Sequence, residues 1–206
     1  MEKLLKKYKI NSLYHFTRAE NLPTIFKYGL LPREVLNSEN IPSYFNDDYR
    51  HDNCLNAVCS SIEFPNYKMF YTFRQKDPNI DWAVLRLDAY ILHEFTCAYC
   101  WTNAANSEIS QMPIEERKKT DAFLRLFENQ PNYPRREELN IPDNYPTNPQ
   151  AEVLVFGTIP IRYICNVYFE TQSVLCKYRT VIPNSIKAEI NPDVFKPRVD
   201  WKSWQK

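Results

Sequence analysis

Glycine is nearly absent: there are two glycines in 206 residues, against fifteen prolines. Gly29 and Gly157 alone cannot build a Walker loop or a Gly-x-Gly-x-x-Gly turn, so a dinucleotide bound by this chain is held without either cradle. Histidine is sparse, with three residues, and the six cysteines offer one close pair, Cys97-Ala98-Tyr99-Cys100. A structural zinc site needs a second pair or spaced histidines. No metal is therefore expected, and the cysteines read as reduced, small apolar side chains. No apolar run reaches the roughly 18 residues of a membrane span, and residues 1–7 carry charge where a secretory signal has an apolar core. A soluble, cytoplasmic protein with no membrane partner is expected. The net charge of +1 leaves no broad basic face for nucleic acid, so any grip on DNA has to be local.

What is present reads as one domain over 1–206, expected to be monomeric, with a mixed order of helices and strands and no repeat. Helices are expected over 2–8 and 22–28, the latter capped by Asn21, with Pro23 in its first turn and Gly29 past its end. An irregular loop follows over 40–60, then a helix over 66–75 behind Pro65, with Met69, Phe70 and Phe73 on one side. Strands are expected over 12–16, 82–88, 95–100, 151–157 and 163–169. A helix over 115–129 would turn Phe123, Leu124 and Phe127 inward and Glu115 to Lys119 outward. Five prolines between 130 and 150 forbid helix or central strand there, and a loop of that length in a compact domain is functional or disordered. The C-terminal Trp201-Lys202-Ser203-Trp204 fits either a single-strand surface or simple packing.

The stretch Gln150-Ala151-Glu152-Val153-Leu154-Val155-Phe156-Gly157 sets one carboxylate where the proline-rich loop meets an apolar strand. Leu13-Tyr14-His15-Phe16-Thr17 places His15 and Thr17 on one strand face, and Asn21-Leu22-Pro23 follows. Together these blocks resemble, in order and over most of the chain, the DarT family of toxins, which transfer ADP-ribose from NAD to a DNA base. The resemblance implies an α+β fold of the ADP-ribosyltransferase type, a split, mostly antiparallel β-core flanked by helices. It implies NAD as the substrate that supplies ADP-ribose, with Glu152 as the carboxylate that stabilises an oxocarbenium-like ribose. His15, Thr17, Asn21 and Leu22 would then line the NAD pocket. The loop before the catalytic strand, 140–151 with Gln150, would present the acceptor. Single-stranded DNA is the implied partner, and a macrodomain antitoxin that removes the mark is the implied antagonist.

The block Pro65-Asn66-Tyr67-Lys68-Met69-Phe70-Tyr71-Thr72-Phe73-Arg74 departs from the thymine-modifying members, which carry Pro-Arg-Ser-Pro-Met-Leu-Tyr. Tyr71 matches the aromatic residue that stacks on nicotinamide. Asn66 stands where the family has arginine, so the positive charge falls to Lys68 first and Arg74 second. The departure points to the sister branch, which modifies guanine. Asn103, in the polar turn after a strand, would read a base edge or simply form the turn. Thymine, RNA or protein remain alternative acceptors, and a binding module without turnover is the alternative outside enzymes.

Overall fold

The computed structural model describes residues 1–46 and 54–205. His51 and the middle of the loop expected over 40–60 lie outside the described residues. Among the described residues seven strands form one sheet: β1 (Ser12–Arg18), β2 (Ala57–Ile62), β3 (Trp82–Asp88), β4 (Cys97–Cys100), β5 (Glu152–Phe156), β6 (Ile164–Phe169) and β7 (Lys187–Ile190). Their order is β4-β5-β2-β1-β3-β6-β7. Every pairing is antiparallel except β6 with β7. The sheet is split in the middle. β1 pairs with β3 along its whole length, yet with β2 only at Leu13↔Ile62 and Tyr14↔Ser61. Past Tyr14 the two strands part, while residues 57–60 of β2 pair with β5.

Both faces of the inner sheet are covered, which explains why β3, β5 and β6 read as nearly continuous apolar runs. On β3, Ala83, Leu85 and Leu87 join the main core, whereas Trp82 and Val84 join a second cluster with Phe70, Tyr168 and Phe195. The period of two in a strand separates the two sets. The helix Tyr67–Lys76 closes the second face, with Phe70 stacked on Phe16 at 4.6 Å between ring centres. Both glycines adopt positive φ, and at Gly29 a Cβ would lie 2.6 Å from the Ile159 carbonyl oxygen, where Leu30 bridges to Ile159. The position demands glycine on both counts.

Several elements differ from the sequence expectation. The helix expected over 115–129 is broken into Ile114–Arg117 and Thr120–Arg125, because Lys119 is extended between them. Arg117, expected outward, is buried at 4% exposure and meets Cys100 of β4. β2 begins at Ala57, inside the segment expected to be irregular. Asn21 does not cap the helix Leu22–Tyr28, which continues from a short 3-10 turn over Ala19–Asn21. Its amide instead donates to Thr17 Oγ1 at 3.0 Å and to the Tyr44 carbonyl at 2.9 Å, and accepts from Tyr44 N–H at 2.8 Å. The helix Gln172–Tyr178 and strand β7 had no sequence signal, β7 being a polar edge strand with Lys187 and Glu189 in four residues. Among the described residues no helix is long and apolar enough to cross a membrane.

The 130–150 segment forms a 3-10 turn over Arg136–Glu138 and otherwise irregular chain. Two guanidinium groups order it. Arg136 donates to the Tyr145, Asp143 and Pro142 carbonyls at 2.7, 2.8 and 3.1 Å, and Arg198 to those of Pro146 and Thr147, both at 2.8 Å. Trp204 is buried, with its indole N–H on Asp200, while Trp201 is 38% exposed, so packing accounts for one of the two C-terminal tryptophans.

Glu63 tests the electrostatics of this region. Its carboxylate accepts the N–H groups of Asn11 and Ser12, yet burial is the larger effect and raises its pKa above the usual carboxylate range. A raised folded-state pKa gives stability that is full below the unfolded pKa and lost as pH rises through the folded one. Glu63→Gln keeps an acceptor for both N–H groups and removes the titration. The melting temperature of the wild type should therefore fall relative to the variant as pH rises through the carboxylate range. Paired melting curves from acid to neutral pH measure this, and a wild-type gain over that range would refute it.

Candidate active site

The split between β1 and β2 opens a cleft of about 230 Å³, lined on one side by residues 14–17 and on the other by residues 57–61. Continued register would set His15 against Ser60, but the strands have separated, and the His15 side chain spans the gap. Its Nδ1 lies 2.7 Å from the Cys59 carbonyl oxygen. A carbonyl only accepts, so in the neutral ring Nδ1 carries the proton and Nε2 is the acceptor nitrogen.

Glu152, the first residue of β5, closes the floor of the cleft at 6% exposure. Two fixed donors hold its carboxylate. The Ala104 N–H donates to Oε2 at 2.8 Å, and Asn66 Nδ2 donates to Oε1 at 3.3 Å. Each donor is itself oriented. Asn66 Oδ1 accepts from Met69 N–H at 3.2 Å, capping the helix Tyr67–Lys76, and this fixes which end of the amide faces Glu152. Asn103 Oδ1 accepts from Ala105 N–H at 2.8 Å, forming the turn that aims Ala104 N–H at the carboxylate. Behind it, Cys100 pairs with Glu152 across β4 and β5. Burial first, and the Glu152 charge second, push the Cys100 thiol up to about 12. Such a thiol is protonated at neutral pH and is no nucleophile.

The segment 43–46 also lines the cleft and is tied down by Asn21 and by Arg18, whose guanidinium donates to the Phe45 carbonyl at 3.0 Å and to Asn46 Oδ1 at 3.3 Å. Arg33, its guanidinium 4.3 Å from the Phe45 ring centre, is a further lining residue. Arg33 and Glu152 are the charged side chains of the cleft among the described residues. Positive charge and carboxylate thus face one cavity.

Five of the residues expected at the site line this cleft: His15, Thr17, Asn21, Asn103 and Glu152. The other five do not. Lys68 extends to the C-terminal segment, where Nζ donates to the Trp204 carbonyl at 2.9 Å. Arg74 pairs with Glu170 at 2.5 Å and donates to the Phe195 carbonyl at 2.6 Å, beside a separate hollow. Tyr71 is 57% exposed on the helix face turned from the cleft, Leu22 is fully buried in the core, and Gln150 lies in the turn made by Asn148. Asn66, Met69, Phe73 and Arg33 take the places that Lys68, Tyr71 and Arg74 were expected to fill. The spacing of Asn66, Met69 and Phe73 puts them on one helix face, which is the signal that finds them.

The architecture is that of solved ADP-ribosyltransferases. Thermosipho africanus DarTG in complex with ADP-ribose superposes with a TM-score of 0.63 at 19% identity, over 89% of this chain and 50% of that one. This chain thus spans half the length of the Thermosipho protein. Thermus sp. 2.9 DarT in complex with NAD+ gives 0.57 at 16% identity, and the same protein with ADP-ribosylated ssDNA gives 0.55 at 16%. These cover 90% and 91% of this chain, and 97% of the Thermus chain in each case. No curated protein matches the sequence. The model of the DarT family, described as ssDNA thymidine ADP-ribosyltransferase, matches residues 14–201, and the chain belongs to that family.

Proposed function

We propose that this chain is an NAD-dependent mono-ADP-ribosyltransferase that modifies a base in single-stranded DNA, with Glu152 as its catalytic carboxylate. The observation that carries the reading is the buried Glu152 carboxylate, held by two oriented donors in a cleft where the sheet splits. In the reaction the bond from nicotinamide nitrogen to the ribose anomeric carbon breaks, and its electron pair leaves with nicotinamide. Positive charge builds on the ribose, and a fixed carboxylate stabilises it without reorganising. A base nitrogen supplies the electron pair of the new bond, and Glu152 takes the proton that this nitrogen loses. The neighbouring Cys100 thiol is protonated and does not compete with Glu152 as a base.

Arg33 is the cation for the pyrophosphate, a planar fork suited to two phosphate oxygens. His15 Nε2 and Thr17 are the hydrogen-bonding groups for the ribose and the nicotinamide amide. The loop 140–151 presents the acceptor beside Glu152. A base in duplex has its edge paired, and extruding it costs a few kcal/mol, so the net charge of +1 favours strands that are already single. We take the acceptor base to be guanine, because Asn66 replaces the arginine of the thymine-modifying pattern and its amide faces Glu152. The Thermus structure with ADP-ribosylated ssDNA and the description of the family as ssDNA thymidine ADP-ribosyltransferases support the DNA acceptor, and the latter names thymidine. By the same family resemblance the protein works in the cytoplasm as the toxin opposed by a macrodomain antitoxin.

Mass spectrometry of four single-stranded oligonucleotides, each varying one base in a fixed context, tests the reading after incubation with protein and NAD. Addition of one ADP-ribose to guanine-containing strands alone is the expected result. Addition to thymine alone would keep the enzyme and overturn the base, and NAD consumption with RNA or protein alone would overturn the DNA acceptor.

A further inference from the structure

The proline-rich loop before Glu152 has few backbone donors, since Pro142, Pro146 and Pro149 have no N–H, and its own bonds include Tyr145 N–H to the Pro142 carbonyl and Ala151 N–H to that of Asn148, both at 3.0 Å. The Pro146 and Thr147 carbonyls are met by a donor from the far end of the chain. Arg198 is 3% exposed, and its fork reaches the Pro146 and Thr147 carbonyls, 52 and 51 residues away in sequence. The same guanidinium makes a two-point pair with the buried Asp200, at 2.7 Å from Nε and 2.5 Å from Nη2, and Asp200 also accepts the Trp204 indole N–H at 2.8 Å. Trp204 in turn gives its carbonyl to Lys68, on the helix whose cap is Asn66. The contacts close a ring: Glu152 to Asn66, along the helix to Lys68, through Trp204 and Asp200 to Arg198, and back along the loop from Thr147 to Glu152.

We propose that Arg198 is a positioning residue for the acceptor. The C-terminal segment 198–204 clamps the loop 142–150 at a fixed distance from the catalytic carboxylate, so that the base rather than water meets the ribose. A buried ion pair is a poor source of stability compared with apolar packing, which leaves geometry as its contribution. The guanidinium fork is required because two carbonyls and one carboxylate must be met in a plane, and an ammonium is a single point. The inference rests on the transferase reading above.

Arg198→Lys in the full chain tests it, with NAD hydrolysis in the absence of DNA and transfer to the oligonucleotide measured side by side. Hydrolysis should stay within about twofold of the wild type while transfer falls by about tenfold or more, with a raised KM for DNA. Amide exchange should quicken at Asn144, Tyr145 and Thr147 and hold steady at Val153, Leu154 and Val155. Hydrolysis and transfer falling together, with faster exchange throughout, would show a merely structural residue and overturn the proposal, as would no change in either. If Arg198→Lys fails to fold, Trp204→Phe removes one donor from Asp200 while keeping the ring against Tyr133, and the same split, smaller in size, is expected. Failure of the transferase reading has a different signature, a wild type that neither hydrolyses nor transfers, and the exchange pattern then decides the clamp by itself.

Discussion

Glu152→Gln is expected to lower transfer to DNA by about 10³-fold or more, equivalent to about 4 kcal/mol of transition-state stabilisation. The substitution is isosteric, and the site still rejects it. Ala104 N–H and Asn66 Nδ2 are both donors to the carboxylate, and neither can reverse its role. Asn66 is held by Met69 N–H on its oxygen, and Ala104 by the Asn103 turn. One end of a glutamine amide would therefore meet a donor with a donor, a mismatch of about 1–3 kcal/mol for a buried group. The charge that balances the ribose cation disappears as well. NAD binding should persist, since Arg33, His15 and Thr17 are untouched, so saturating NAD should still raise the melting temperature. Initial rates of oligonucleotide modification and a thermal-shift series check both halves. Transfer within about tenfold of the wild type would remove Glu152 from the chemistry, and an unfolded variant would mark it as structural.

Glu152 was legible because a lone carboxylate at the junction of a proline-rich loop and an apolar strand is a local pattern, and strands β3, β5 and β6 carry clear apolar runs. Its partners were not. Asn66 looks like a substitution for a missing cation, whereas its side chain does two things at once, capping a helix and orienting a carboxylate 86 residues away. The helix Tyr67–Lys76 did carry the needed information. Its apolar stripe through Met69, Phe70 and Phe73 turns Tyr71 outward, so helical periodicity by itself argues against a stacking role for Tyr71. Lys68 and Arg74 stand within the motif, but long flexible cations find carboxylates and carbonyls wherever packing brings them. Arg33 follows Pro32 with no pattern around it, and only the meeting of its helix with the split sheet brings it to the cleft. The clamp from Arg198 joins segments about fifty residues apart, a separation over which no periodicity speaks.

Asn66→Asp should lower transfer at neutral pH by about 10²-fold while leaving the protein folded. Aspartate accepts from Met69 N–H as asparagine does, and an anion at a helix N-terminus is favoured, so the cap survives. What changes is the contact with Glu152, where a donor 3.3 Å from Oε1 becomes a second carboxylate. Two carboxylates in contact share a proton, and one pKa of the pair rises strongly. The rate should therefore climb with pH in the variant over a range where the wild type is flat. Stability moves in the opposite sense. The folded pair keeps a proton that the unfolded chain has lost, so the variant is most stable below the unfolded pKa and loses stability as pH rises through the raised value. Asn66→Ala separates charge from contact. It loses the cap, about 1 kcal/mol, which lowers the melting temperature by about 2–4 °C in a chain of this size, and its pH profile should keep the wild-type shape. Rate profiles of the three proteins on one oligonucleotide decide the matter. If the aspartate and alanine variants share a profile, the Asn66 amide acts only through the helix, and the electrostatic setting of Glu152 is made elsewhere in the cleft.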